Sequence, residues 1–157
     1  MIHPRRRVGH GMTQPLDTQP LTDDERTFLS EGTRTGMLAY TASDGRPLLV
    51  PVWFVLDGED LVFNTGTDSA KARAIRRDPR VALCVDLAQP PYAFVQVQAT
   101  ATLSDDLEAM LPWSIAIGSR YMGAERGEEF GRRNAVDGEV LVRLRPIKVI
   151  SAMDMTG

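Results

Sequence analysis

The positions of apolar and polar residues predict a chain built mainly from short strands. The clearest pattern lies between Phe94 and Leu103, where apolar residues occupy every second position and Gln or Thr fill most of the positions between them. This period of two is typical of a strand with one buried face. Five other runs that are rich in apolar residues predict strands at residues 35–41, 47–56, 61–65, 81–85 and 139–145.

Capping and breaking residues predict helices between these strands. Thr22 and Glu25 have the spacing of a capping box, which predicts a helix that runs to about residue 31. Ser69 is a natural N-cap for a helix over residues 70–78, and Pro79 prevents its continuation. Two more helices are expected over residues 104–121, with a kink or restart at Pro112, and over residues 125–134.

Six short and mostly consecutive strands with few helices predict a small, closed or partly closed antiparallel barrel with short helices outside it. The Asp-Gly pair at residues 44–45 favours a tight hairpin between the first two strands. The strand at 47–56 is apolar on both faces, as in a barrel interior or a dimer contact. Because Pro51 cannot donate to a ladder, this strand is expected at an edge or with a bulge.

Length and composition limit the classes of protein. The 157 residues are enough for one domain, which we place at residues 21–157 after a flexible N-terminal arm over residues 1–20. A net charge of -3 argues against a nucleic-acid-binding protein. The longest apolar run, residues 48–56, is far shorter than the roughly 20 residues of a membrane-spanning helix. With Cys84 as the only cysteine, no internal disulfide forms, which fits the cytoplasm.

Histidine usage predicts that a bound cofactor performs any chemistry. Both histidines, His3 and His10, lie in the arm, and the body of the chain has none. A Ser-His-Asp or Cys-His site and a histidine metal cluster are therefore not expected. We predict no catalytic protein residue and no metal site, so that an enzyme built on this chain needs the chemistry of a cofactor.

The residues from Thr65 to Arg80 are the strongest candidate site. A loop opens a short basic helix whose first turn offers free backbone N–H groups. Lys71, near the second helical position, opposes the helix dipole and needs a negative partner. A bound phosphate is one such partner, and Asp68 or another acid is the alternative, unless the lysine simply projects into water. Further along the helix the chain has Arg73, Arg76 and Arg77, which form either a solvated basic face or contacts to an acidic ligand.

Several segments resemble the split-barrel flavin-binding proteins typified by pyridoxamine 5'-phosphate oxidase. They are TGMLA at 35–39 with DGRP at 44–47, VPVWF at 50–54, TGT at 65–67 with SAKAR at 69–73, and RRDPRV at 76–81. The resemblance extends over roughly residues 21–155. RYMG at 120–123 and VRLRP at 142–146 make it closest to the small flavin/deazaflavin oxidoreductases that use coenzyme F420.

This resemblance implies a mainly β fold, a six-stranded antiparallel split barrel with peripheral short helices, and a homodimer with the cofactor at the interface. Val50, Pro51, Val52 and Trp53 would contact the ring system. A phosphate cradle would comprise Thr65, Thr67, Ser69, Ala70 and Lys71, and Tyr92 or Phe94 would close the site from the other subunit.

The implied activity is hydride transfer from the reduced deazaflavin, coenzyme F420, to an unsaturated or conjugated small organic molecule. An FMN-dependent reductase or oxidase on the same scaffold and a non-catalytic flavin-binding protein are the alternatives. Ser69 and Ala74 stand where some relatives have Arg and Asn, which leaves the choice between F420 and FMN open. Pyridoxamine phosphate oxidase activity itself is not expected, because the histidine of that enzyme's substrate site has no counterpart here.

Overall fold

The computed structural model describes residues 18–157, and the remainder of the predicted arm, residues 1–17, lies outside the described residues. Within this part of the chain there are four α-helices and seven strands. The helices are α1 (Asp23–Ser30), α2 (Ala70–Arg77), α3 (Leu107–Met122) and α4 (Ala124–Asn134). The strands are β1 (Gly36–Thr41), β2 (Pro47–Val52), β3 (Val55–Asp57), β4 (Asp60–Gly66), β5 (Arg80–Leu87), β6 (Ala93–Ser104) and β7 (Glu139–Ala152).

The strand order explains why the sheet is curved into a barrel. The strands form one sheet in the order β2-β1-β5-β6-β7-β4-β3, and every neighbouring pair is antiparallel. The two edges, β2 and β3, are consecutive in the chain and are joined only by Trp53 and Phe54. Three Cα–Cα steps span at most about 11 Å, so the opposite edges lie close together. The predicted split-barrel class is thereby confirmed.

The prediction of six strands was wrong by one, because the run at residues 47–56 is two strands. The pairing of β2 with β1 ends at Val52, and β3 then pairs with β4 at the opposite edge of the sheet. Pro51 lies on the edge strand β2, as its missing N–H requires.

The last strand is longer than predicted. It was expected to end at Arg145, before Pro146, but β7 continues to Ala152. The register with β6 shifts here, since Ala99 faces Pro146 whereas Gln98 faces Lys148. The extra residue forms a bulge, which accommodates a proline inside a paired strand.

The barrel interior confirms the period-two pattern of β6. Val95, Val97, Ala99 and Ala101 are buried in the main core, together with apolar residues of β5 and β7. Helix α2 contributes Ile75 to this core. The candidate basic helix is therefore anchored in the barrel by its apolar side.

The helix starts follow the capping residues. Thr22 and Glu25 form the capping box of α1, and the Ser69 side chain caps α2. Helix α3 runs without a restart across Pro112. It packs so closely on α4 that Gly131 has no room for a side chain, since a Cβ atom there would lie 2.7 Å from the Ile115 Cα atom. In residues 18–157, no helix is long and apolar enough to cross a membrane.

Candidate functional site

A cleft of about 360 Å³ lies where the edge strand β2 meets the turn between β4 and α2. This volume falls within the range of small-molecule sites. The cleft brings together parts of both predicted segments, residues 50–53 and 65–71. Its lining residues are Pro51, Val52, Trp53, Asn64, Thr65, Gly66, Lys71, Ser114, Ile117, Asn134 and Glu139.

The N-terminus of α2 has backbone donors that the protein leaves available. The Ser69 Oγ accepts from the Ala72 N–H at 3.2 Å, and the Ser69 carbonyl accepts from the Arg73 N–H. The N–H groups of Ala70 and Lys71 form no hydrogen bond with any group in residues 18–157. Two of the four N–H groups at this helix end can therefore bind an anion.

Hydroxyl groups add to these donors. The Thr65 Oγ1 and Ser69 Oγ atoms are 3.0 Å apart and share one hydrogen bond. Because each hydroxyl carries one proton, the pair keeps one O–H free to donate. Thr67 accepts two hydrogen bonds from Arg76, at its carbonyl (2.6 Å) and its hydroxyl (2.5 Å). Arg76 thus holds the loop in place, and the Thr67 hydroxyl proton is still available.

Lys71 lines the cleft without an ion pair to any carboxylate in the described part of the chain. The alternative partner Asp68 therefore does not neutralise it. Glu139 lines the same cleft. Burial raises the pKa of Glu139 above its ordinary value, and the positive charge of Lys71 partly opposes this rise. A lysine and a carboxyl group thus line one cleft, where their opposite charges interact.

The other arginines of α2 face a different depression. Arg73 and Arg77 line a concavity of about 340 Å³ together with Tyr40 and Ser43. Ala70, a predicted cradle residue, also borders this depression and not the cleft. Neither arginine forms an ion pair within residues 18–157. Helix α2 therefore separates two concave surfaces, and each of them has a basic side chain of this helix in its lining.

Trp53 forms an apolar wall of the cleft. Its side chain is 41% exposed, and its ring stacks on Tyr121 with 4.9 Å between centroids and 4° between planes. Of the other predicted ring contacts, Val52 also lines the cleft, whereas Val50 packs against the barrel core and does not line it. Tyr92, on an exposed loop, and Phe94, on β6, do not line the cleft of a single chain. Their predicted role concerns a second subunit and stays a prediction.

Outside the two predicted segments, sequence reasoning missed five lining residues: Asn64, Ser114, Ile117, Asn134 and Glu139. Two of them carry a detectable signal. Asn64 directly follows the apolar run of β4, and Ser114, only 2% exposed, interrupts the apolar side of α3. The Ser114 hydroxyl donates to the Asn64 Oδ1 at 3.0 Å, whereas the buried Asn64 Nδ2 has no partner in residues 18–157. The helical hairpin formed by α3 and α4 thus supplies polar residues of the cleft, Ser114 and Asn134.

The fold defines a split-barrel protein with a cleft at the end of its edge strand β2. Residues 21–151 match the family described as pyridoxamine 5'-phosphate oxidase, and the chain belongs to this family. The predicted resemblance is thereby confirmed.

Solved structures agree with this assignment. A conserved hypothetical protein from Mycobacterium tuberculosis is 24% identical, with 89% of each chain covered and a TM-score of 0.73. An F420 reductase is 25% identical over 78% of this chain and 94% of that chain, with a TM-score of 0.61. HutZ, the haem storage protein from Vibrio cholerae, is 18% identical over 86% and 98% of the chains, with a TM-score of 0.66. The fold is thus shared by proteins with different ligands.

Glu139→Gln is expected to strengthen binding of a phosphate-bearing ligand at pH 7.5. Removing one negative charge about 6 Å from an anion in a wet cleft corresponds to about 0.7 kcal/mol, or about threefold in affinity. This difference should shrink as the pH falls through the raised pKa of Glu139, because the wild-type carboxylate then takes up a proton. FMN titrations of both proteins between pH 5 and pH 7.5 measure it. A ratio of the two FMN affinities that does not change with pH would contradict the role of the Glu139 charge in anion binding.

Proposed function

We propose that this protein is an oxidoreductase that binds coenzyme F420 and transfers hydride from its reduced form to an unsaturated or conjugated organic acceptor. One observation carries the proposal: the cleft joins an aromatic wall, Trp53 just after the edge strand, to a helix N-terminus with free donors and a lysine that forms no ion pair. A ligand with a flat ring system at one end and a phosphate nearby matches this arrangement.

The residues of the chain would bind and orient such a ligand. The phosphate would accept from the N–H group and the ammonium group of Lys71, which lines the cleft, and this contact resolves the conflict between the lysine and the helix dipole. The ring system would lie along Pro51 and Trp53, which exclude water from one side of it. When bound in its reduced form, the coenzyme supplies the hydride, so no protein nucleophile is needed.

The second depression favours F420 over FMN. Coenzyme F420 carries an acidic tail beyond its phosphate, and FMN ends at the phosphate. Arg73 and Arg77 lie one helical turn apart beside a concavity that begins at Ala70, the first residue of α2. A tail that leaves the phosphate site would reach both guanidinium groups. FMN remains the alternative cofactor, and it would leave these arginines without a role.

Haem, which the titles of some structural neighbours name, has less support in this chain. Haem iron is commonly held by a protein histidine, and residues 18–157 contain none. The cleft also presents cationic and N–H donors that suit a phosphate.

We propose that the protein acts in the cytoplasm as a homodimer, as is common in this fold family. The outer face of β2, β1 and β5 is apolar: Leu49, Ala39 and Ala82 form one row, and Pro51, Met37 and Cys84 form the next. Leu49 is 68% exposed in the single chain. Such a contiguous apolar face indicates a protein contact. Since Pro51 belongs to this face and to the cleft, a partner seated there would border the cofactor.

Turnover distinguishes an enzyme from a protein that only binds the cofactor. We expect the protein to oxidise reduced F420 when a conjugated acceptor such as a quinone is present, as followed by the absorbance of the coenzyme. Tight binding without turnover across a panel of quinone, tetrapyrrole and other conjugated acceptors would favour the non-catalytic alternative.

Lys71→Ala is expected to weaken binding of both F420 and FMN by about 1.5–3 kcal/mol, the scale of a hydrogen bond to a charged group. Fluorescence titration of each cofactor measures the change. Arg133→Ala is the matched control, because it removes one exposed positive charge from α4 outside the cleft. An affinity in Lys71→Ala equal to that of the control would remove the phosphate role.

Replacing both Arg73 and Arg77 with Ala is expected to weaken F420 binding by about 1–2 kcal/mol, or about tenfold, since each exposed pair contributes less than about 1 kcal/mol. FMN affinity should not change. The control replaces Arg132 and Arg133, which removes the same charge from α4. Equal losses for F420 and FMN would contradict the tail assignment.

Leu49→Asp is expected to shift a dimer towards monomers, because it buries an unpaired charge in the proposed contact. Light scattering over a range of protein concentrations measures the molecular mass. Val136→Asp, at an exposed apolar residue before β7, should leave the mass unchanged. A wild-type protein that is monomeric while it binds the cofactor tightly would exclude the interface site.

A further inference from the structure

The link between β2 and β3 is held by the last turn of α3. Trp53 and Phe54 belong to neither strand, so the sheet does not satisfy their backbone groups. The Tyr121 Oη accepts from the Phe54 N–H at 3.3 Å, and Arg120 donates to the Phe54 carbonyl at 2.8 Å. Two adjacent helix residues therefore bind both polar groups of one link residue.

The same two residues are tied to the region around α1. Arg120 also donates to the carbonyls of Leu29 (2.7 Å) and Gly32 (3.0 Å), and the Tyr121 hydroxyl donates to the Arg34 carbonyl at 3.0 Å. The Arg120 guanidinium lies 4.8 Å from the centre of the Phe54 ring. Because these partners come from separate parts of the chain, the end of α3 has a fixed position relative to the barrel.

The Tyr121 ring lies against one face of the Trp53 ring. The two planes are nearly parallel, at 4°, with centroids 4.9 Å apart. Trp53 lines the cleft, whereas Tyr121 does not. Because Tyr121 covers one face of the indole, a ligand in the cleft can stack only on the other face.

We propose that Tyr121 is a positioning residue that fixes the ring plane of Trp53 so that its free face forms a flat wall for a planar conjugated ligand. A tryptophan residue that is 41% exposed would otherwise sample several rotamers. Ordering it before binding removes an entropic cost from the ligand. The stack between Tyr121 and Trp53 is present without a ligand. That a ligand binds against Trp53 rests on the proposed function.

The hydroxyl of Tyr121 keeps its proton under physiological conditions. Burial raises the pKa of Tyr121, although the Phe54 N–H and the charge of Arg120 partly oppose the rise. The hydroxyl thus continues to donate to the Arg34 carbonyl while it accepts from Phe54.

The test uses a Trp113→Phe background, in which Trp53 is the only tryptophan. In this background Tyr121→Leu removes the ring, whereas Tyr121→Phe keeps the ring and removes its hydrogen bonds. Phe130→Leu is the control, because it removes an aromatic ring from the same helical hairpin outside the cleft. Acrylamide quenching of Trp53 fluorescence without ligand reports its ordering, and an FMN titration reports the binding consequence.

We expect Tyr121→Leu to increase the quenching constant of Trp53 by about twofold and the FMN dissociation constant by about tenfold, at the upper end of what aromatic pairs contribute. Tyr121→Phe should retain the quenching constant of the background, as should Phe130→Leu. If Tyr121→Leu does not fold, Tyr121→Met carries the same test with a longer side chain.

The proposal is overturned if loss of the ring leaves Trp53 quenching unchanged, or if Phe130→Leu produces the same increase. It is also overturned if quenching rises while FMN affinity is retained, since the wall would then not serve the ligand. If neither FMN nor F420 binds the wild-type protein, the proposed function fails, and the quenching measurement still decides whether Tyr121 orders Trp53.

Discussion

The two-residue link from Trp53 to Phe54 is the constraint on which the rest of the structure depends. It joins strands at opposite edges of the seven-stranded sheet, and a link this short requires the sheet to curve. Its backbone groups cannot be satisfied by a ladder, so Arg120 and Tyr121 satisfy those of Phe54. The fully buried Phe54 ring packs into the core, and Trp53 is directed to the cleft. The same two-residue link thus brings the sheet edges together and places Trp53 in the cleft.

The electrostatics of the cleft depend on the helix that begins beside it. Ile75 buries one side of α2 in the core, Ser69 caps its first turn, and Arg76 holds the preceding loop through Thr67. These interactions fix the direction of the free N–H groups before any ligand binds. Lys71 adds positive charge to a helix end that is already positive, and the Glu139 carboxyl group in the same cleft offsets only part of it. The preorganised donors and the lysine therefore favour the same ligand charge.

The sequence contained the local parts of this arrangement but not all of the long-range ones. The alternation in β6, the capping box of α1 and the Ser69 cap follow from short-range rules, and the structure has them where they were expected. The break at Trp53 and Phe54 was missed because both residues are good strand formers, and only contacts with α3 remove them from the ladder. The end of β7 was missed because the bulge beside Pro146 depends on its pairing with β6.

The candidate site shows the same limit. Residues 51–53, Thr65 and Lys71 were predicted to share one ligand, and they line one cleft. Ser114, Asn134 and Glu139 enter it from α3, α4 and β7, and no local pattern states that these elements meet there.

The most direct measurement of the central claim is a side-by-side fluorescence and absorbance titration of the wild-type protein with coenzyme F420 and FMN. We expect saturable binding of F420 that is tighter than that of FMN and weakens with added salt, since phosphate and tail contacts are ionic. Failure of both cofactors to bind would contradict the proposed cofactor site.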